Sequence, residues 1–135
     1  MKPTCIFLFS AVLSGTMAFA APTKNVGRDV DIKSANDTIL KGTYFAAGKP
    51  GPAVLLFHQS NRSRKSWHEL AAQLAAVGIH VLTVDSRAHG ESGGKYDNEA
   101  NRAAYWKTWW PSDLEAAFEY LSSQSGVNQI GRAHV

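Results

Sequence analysis

The middle of the chain changes its apolar spacing twice, which predicts a strand, a helix and a second strand in that order. Residues 53–57 and 79–84 form nearly continuous apolar runs, typical of strands covered on both faces. Between them, helical spacing predicts a helix over residues 67–77, with Gly78 as its left-handed C-terminal residue. Its apolar face is formed by Trp67, Leu70, Ala71, Leu74 and Val77. This order is one βαβ unit of a parallel sheet.

Shorter patterns flank this unit on both sides. Residues 26–47 alternate apolar and polar positions around Asn36 and Asp37, which predicts two antiparallel strands joined by a short turn. Residues 112–122 predict a second covering helix, and residues 126–131 predict the turn into a further strand.

The starts of both helices carry a common signal. Ser66 precedes Glu69 by three residues, and Ser112 precedes Glu115 by three, so each pair predicts a capping box. Pro111 predicts that no helix continues into the second one from the residues before it.

The first twenty residues predict a secretory signal peptide. Lys2 gives a positive start, residues 5–13 are apolar, and residues 18–20 read Ala-Phe-Ala, a small-x-small cleavage site. A retained membrane anchor is the alternative, but the apolar run is short for a span. We therefore expect a periplasmic or secreted mature chain, residues 21–135, with no membrane association after cleavage.

Cysteine usage and charge exclude several kinds of protein. Cys5 is the only cysteine, so a cleaved chain has no disulfide, thiolate metal site or cysteine nucleophile. The formal net charge is only +3. Arg62, Arg64 and Lys65 cluster without aromatic partners, which favours a solvated loop over a nucleic-acid surface.

The order of motifs resembles the N-terminal half of an α/β-hydrolase, particularly its dienelactone-hydrolase-like and lipase-like esterase branches. A strand is followed by His58 and Gln59, a helix, a second strand and the sequence D-S-R-A-H-G-E-S at residues 85–92. Those families usually have glycine where this chain has Gln59 and Ala88. The resemblance covers about residues 28–131. It implies an α/β fold with a β-hairpin followed by parallel βαβ units, truncated before the nucleophile elbow.

The resemblance also implies roles for single residues. Gln59 is expected to supply a backbone N–H to the oxyanion hole, and this fold requires no metal or organic cofactor. His58, Arg87 and His89 are expected to hold the loops in place. Asp85 is not expected to be the catalytic acid, because in the family's order the acid follows the nucleophile.

Residues 90–94 read G-E-S-G-G and match the G-x-S-x-G pattern of a nucleophile elbow. An elbow needs a strand directly before it and a helix directly after the serine, and neither is predicted around Ser92. The elbow is expected after the strand that begins near residue 129. The nucleophile, the acid and the catalytic histidine are then absent from this chain, and His134 is not one of them.

Two stretches are open to more than one interpretation. The aromatic residues between positions 96 and 110 either line a substrate pocket or fill the core beneath a long connection. They are Tyr96, Tyr105, Trp106, Trp109 and Trp110. Residues 130–135, I-G-R-A-H-V, are the translation of ATCGGAAGAGCACACGTC, which resembles a sequencing adapter and predicts that these residues are non-native.

The leading hypothesis is a fragment of an exported, esterase-like serine hydrolase that acts on a small-molecule ester and is inactive as this chain alone. The alternative is a non-catalytic secreted binding module on the same fold. A gene that continues with G-x-S-x-G, then Asp and His, would favour the hydrolase. A trypsin-like protease using Ser92 is a third hypothesis.

Overall fold

A computed structural model describes residues 25–134, apart from the side chains of Gln129 and residues 131–134. The predicted signal peptide lies outside the described residues. The strands are β1 (Arg28–Lys33), β2 (Ile39–Phe45), β3 (Gly51–Phe57), β4 (His80–Val84) and β5 (Val127–His134). The α-helices are α1 (His68–Ala76), α2 (Glu99–Ala104) and α3 (Trp110–Ser122).

The five strands form one sheet in the order β1-β2-β4-β3-β5. β1 and β2 form the predicted antiparallel hairpin, and β2 pairs antiparallel with β4. β3 pairs parallel with β4 on one side and with β5 on the other. The predicted hairpin followed by parallel βαβ units is therefore confirmed. That residues 130–135 are non-native stays a prediction.

Helices cover both faces of the sheet, as the apolar runs of β3 and β4 predict. Leu55 and Phe57 face a core that includes Ala117 and Leu121 of α3. Leu56 points to the other face, where a second cluster includes Ala71 of α1. Successive residues of β3 thus reach opposite faces, as the pleat of a strand requires.

α1 differs from its prediction in its start and in its buried face. A 3₁₀ turn at Arg64–Trp67 leads into the helix, and the Ser66 hydroxyl donates to the Ser63 carbonyl (2.7 Å) instead of capping it. Leu70 and Val77 are exposed, whereas Ala71 and Ala75 are buried. The predicted capping box is wrong, because the Ser66 hydroxyl is used within the 3₁₀ turn. The predicted apolar face is wrong at Leu70 and Val77, because the small Ala71 and Ala75 side chains provide the close contact with the sheet. Gly78 has the predicted positive φ of 95°.

The helical chain is continuous from α2 to α3 through a π-helical turn at Tyr105–Trp109. Pro111 lies in the first turn of α3, so the prediction that it ends a continuous helix is wrong. Ser112 lies inside this turn, where its hydroxyl bonds to the carbonyls of Thr108 and Trp109 (both 3.0 Å), and it does not form the predicted capping box. Tyr105, Trp106, Trp109 and Trp110 consequently lie on one continuous helical segment.

Across residues 25–134, no helix is both long enough and apolar enough to span a bilayer.

Candidate active site

The loops that follow β3 and β4 meet at the carboxyl edge of the sheet. Phe57 is paired with Val84, the last residues of two parallel neighbours, so residues 58–61 and 85–89 emerge side by side. A cavity of about 590 Å³ lies between these two loops and four aromatic side chains, Tyr96, Tyr105, Trp106 and Trp110, which we call the aromatic wall. Its lining residues are His58, Gln59, Ser60, Asn61, Ser86, His89, Tyr96, Tyr105, Trp106 and Trp110.

His58 braces the two loops, as the sequence predicts. Its side chain is buried, and the Ser86 backbone N–H donates to its Nε2 (3.0 Å). Its Nδ1 lies 2.6 Å from the Gln59 carbonyl oxygen. Because a carbonyl only accepts, Nδ1 carries the proton and Nε2 has none. Both ring nitrogens of His58 therefore bond to backbone groups, one in each loop.

Gln59 lies in the cavity wall, and two hydrogen bonds to its carbonyl oxygen fix the orientation of its backbone. That oxygen accepts from His58 Nδ1 and from the Arg62 backbone N–H (2.9 Å). The residue itself is exposed, so the side chain that replaces the usual glycine is accommodated in solvent. The contribution of the Gln59 N–H to an oxyanion hole stays a prediction.

The loop after β4 is anchored by a buried ion pair between Asp85 and Arg64. The Arg64 backbone N–H donates to Asp85 Oδ1 (2.6 Å), and the guanidinium donates to Oδ2. Arg64 also donates to Thr43 (3.1 Å) and Glu91 (2.7 Å). Only 2% of Arg64 is exposed, so its prediction as part of a solvated loop is wrong. Asp85 has the structural role that its place in the motif order indicates.

Electrostatics within this cluster favour the charged forms. Hydrogen bonds from Lys65 and then Arg64 hold the pKa of Glu91 at about 2. Burial lowers the pKa of Arg64, but hydrogen bonds to Glu91 and Asp85 more than offset this, and its pKa is raised. Arg64 therefore remains a permanent cation between two carboxylates.

The tight turn after Asp85 determines which residues fit at positions 88 and 90 of the segment D-S-R-A-H-G-E-S. A Cβ at Gly90 would collide with the Asp85 carboxylate, which leaves room only for glycine. Ala88 has a φ of 60°, a left-handed conformation in which glycine is favoured. The glycine that related families usually have at this position is thus the less strained residue.

A second buried pair fastens the aromatic wall to this loop. Arg87 donates to both carboxylate oxygens of Asp113 in α3 (3.0 and 2.7 Å), and Ser34 donates to the same carboxylate. The guanidinium also lies over the ring of Trp109, 5.0 Å from its centroid. Nothing in the local sequence around Asp113 indicates this partner, because Arg87 is 26 positions away.

The aromatic residues, whose role the sequence leaves open, mostly line the cavity. Tyr96, Tyr105, Trp106 and Trp110 are in its wall, while Trp109 covers Arg87. Burial raises the pKa of Tyr105, although a hydrogen bond with Ser86 opposes this, so its phenol remains protonated at neutral pH.

Ser92 lies in a turn and is absent from the cavity lining. Its hydroxyl donates to the Asp85 carbonyl (2.6 Å) and accepts from the Lys41 backbone N–H (2.8 Å). β4 ends at Val84, and the next helix begins only at Glu99. The G-E-S-G-G segment therefore lacks the strand and helix of a nucleophile elbow.

Among residues 25–134, no three His, Cys, Asp or Glu side chains are grouped as a metal site. The buried carboxylates near the cavity, Asp85 and Asp113, are paired with arginines.

The structure is similar to several solved hydrolases. It matches the Pyrococcus furiosus esterase Pf2001 with a TM-score of 0.62 and 26% identity, over 80% of this chain and 39% of that one. It matches the α/β-hydrolase GrgF from a Penicillium species with a TM-score of 0.65 and 25% identity, over 80% and 37% of the two chains. An epoxide hydrolase from an endophytic Streptomyces shares the fold, with a TM-score of 0.63 and 21% identity, over 81% of this chain and 29% of that one.

No protein-family model and no curated protein matches the sequence. The chain spans between 29% and 39% of the length of the three similar structures. Its hairpin, parallel strands and covering helices have the fold of part of an α/β-hydrolase. Its assignment to the dienelactone-hydrolase-like branch stays a prediction.

Proposed function

We propose that the chain is the N-terminal part of an exported, esterase-like serine hydrolase. The observation that carries this proposal is the cavity at the carboxyl edge of β3 and β4, which has Gln59 in its wall. Ligands of open α/β sheets bind at this edge. The similarity to an esterase and to other hydrolases supports the same reaction class.

The proposed reaction is acyl transfer from a small-molecule ester to a serine encoded beyond this chain. The serine oxygen attacks the ester carbonyl, its proton passes to a histidine base, and the alcohol leaves after receiving that proton. Water then hydrolyses the acyl-serine and regenerates the enzyme. The carbonyl oxygen is negative in each tetrahedral intermediate, where the Gln59 N–H would stabilise it.

Recovery of the complete gene tests this function. The downstream sequence should contain G-x-S-x-G followed by Asp and His, and its product should hydrolyse p-nitrophenyl acetate. A complete gene product that binds small molecules but hydrolyses no ester would instead support the non-catalytic binding module.

Export is tested separately by expression in a Gram-negative host. We expect periplasmic protein to begin at Ala21, because residues 18–20 form the proposed cleavage site. Intact mass and N-terminal sequencing of the periplasmic fraction measure this. Periplasmic protein that still begins at Met1 would contradict the signal peptide.

A further inference from the structure

The aromatic wall of the cavity is held in a fixed arrangement by contacts among its rings. Tyr105 is buried at its centre and makes edge-to-face contacts with Tyr96 (5.3 Å between centroids) and Trp106 (4.9 Å). Trp110 lies 6.1 Å from Tyr105 and 6.2 Å from Trp106. These are distances at which aromatic pairs attract one another. The wall is therefore preformed, and a ligand need not order it.

Trp106 is the exposed member of this wall. Trp106 is 59% exposed, although it borders the cavity and its neighbours Tyr105 and Trp110 are buried or partly buried. It belongs to the π-helical turn, and such turns are frequent at functional sites. An indole held at a cavity rim in this way is available to pack against a ligand.

Among the side chains that the structure describes, those that line the cavity include no Asp, Glu, Lys or Arg. The charged residues on either side of Ser86 are already paired, Asp85 with Arg64 and Arg87 with Asp113. His89 Nδ1 lies 2.9 Å from the Arg87 carbonyl and donates to it. An anionic ligand would lose hydration without gaining a partner of opposite charge. A cation would gain only the faces of the aromatic rings, so tetramethylammonium is the competing probe in the test below.

We propose that the cavity binds an uncharged aromatic ring of the ester substrate, with Trp106 as the ring against which it packs. This substrate class rests on the proposed ester hydrolysis and goes beyond it. The volume of about 590 Å³ lies within the range of small-molecule sites and accommodates a ring together with its ester group.

The test compares two uncharged esters of similar size, methyl benzoate and methyl cyclohexanecarboxylate, by titration into the ¹⁵N-labelled chain. The four tryptophans give four indole N–H signals, each assigned by substitution. We expect roughly 2- to 10-fold tighter binding of methyl benzoate, the range of an aromatic pair beyond its buried area. The Trp106 and Trp110 signals should shift, whereas that of Trp67, whose Nε1 donates to the Phe57 carbonyl, should not.

Substitutions of Trp106 distinguish stacking of the ligand against an aromatic ring from burial of the ligand against any apolar side chain. Trp106→Leu should abolish the preference for methyl benzoate, and Trp106→Phe should retain it. Leu70→Ala, at a position 41% exposed on α1, is the matched control and should leave both affinities unchanged. Equal affinity for the two esters in the unsubstituted chain would overturn the inference. So would tetramethylammonium binding tighter than methyl benzoate, or a preference that survives Trp106→Leu.

The titration needs no turnover, so the preference for an aromatic ring and the hydrolysis of esters are tested independently. A complete gene product that hydrolyses aliphatic esters, with no ring preference in the titration, would overturn only the substrate class. Ring binding without hydrolysis by the complete gene product would overturn only the hydrolase.

Discussion

Replacement of Gln59 by proline in the complete enzyme is expected to lower turnover of an activated ester by roughly 100- to 1,000-fold. Proline removes the backbone N–H, while the Gln59 carbonyl that accepts from His58 and Arg62 is retained. The lost interaction develops only as the carbonyl oxygen becomes negative. The effect should therefore appear in kcat with p-nitrophenyl acetate, with little change in KM.

Gln59→Ala is the matched control, because it removes the exposed side chain and keeps the N–H. It should turn over the ester at nearly the unsubstituted rate. Thermal unfolding of both variants establishes that they are folded. An unchanged rate in folded Gln59→Pro would remove Gln59 from the oxyanion hole.

Asp85→Ala is expected to lower the free energy of unfolding by about 3–5 kcal/mol, the usual cost of breaking a buried ion pair. The substitution leaves the guanidinium of Arg64, 2% exposed, without its buried partner. It also removes the acceptor of the Glu91 backbone N–H (3.0 Å). Urea unfolding followed by circular dichroism measures the change.

Lys65→Ala provides the comparison, because Lys65 is paired with Glu91 in an exposed position. Its effect should be far smaller, since solvent and salt screen such pairs. A double variant, Asp85→Ala with Arg64→Met, should recover part of the loss by removing the unpaired charge. If Asp85→Ala costs no more than Lys65→Ala, the buried pair does not anchor the loop.

The sheet could be predicted because its signals are local. The alternation around Asn36 and Asp37 and the apolar runs of β3 and β4 each depend on neighbouring residues alone. The order of the motifs then carried the resemblance to the α/β-hydrolases, which implied the arrangement of the strands. By contrast, local periodicity did not identify which face of α1 packs most closely, because the contact distance favours Ala71 and Ala75 over the larger Leu70.

The parts of the site that the sequence did not predict depend on partners far apart in the chain. The sequence around Arg64 predicts a solvated loop, because its buried partner Asp85 lies 21 positions later in the chain. The pairing of Arg87 with Asp113 similarly requires the position of α3. Pro111 predicts an interruption because it lacks the N–H that the interior of an α-helix requires. In the folded chain it lies in the first turn of α3, directly after a π-helical turn, and the helix continues through it.

Covalent labelling of the complete gene product with a fluorophosphonate, followed by mapping of the modified peptide, identifies the nucleophile of the proposed hydrolase. We expect a single labelled serine in a G-x-S-x-G segment C-terminal to residue 131. Ser92 should carry no label, because its hydroxyl bonds to the Asp85 carbonyl and the Lys41 backbone N–H. Label on Ser92, or ester hydrolysis without any labelled serine, would overturn the proposed position of the nucleophile.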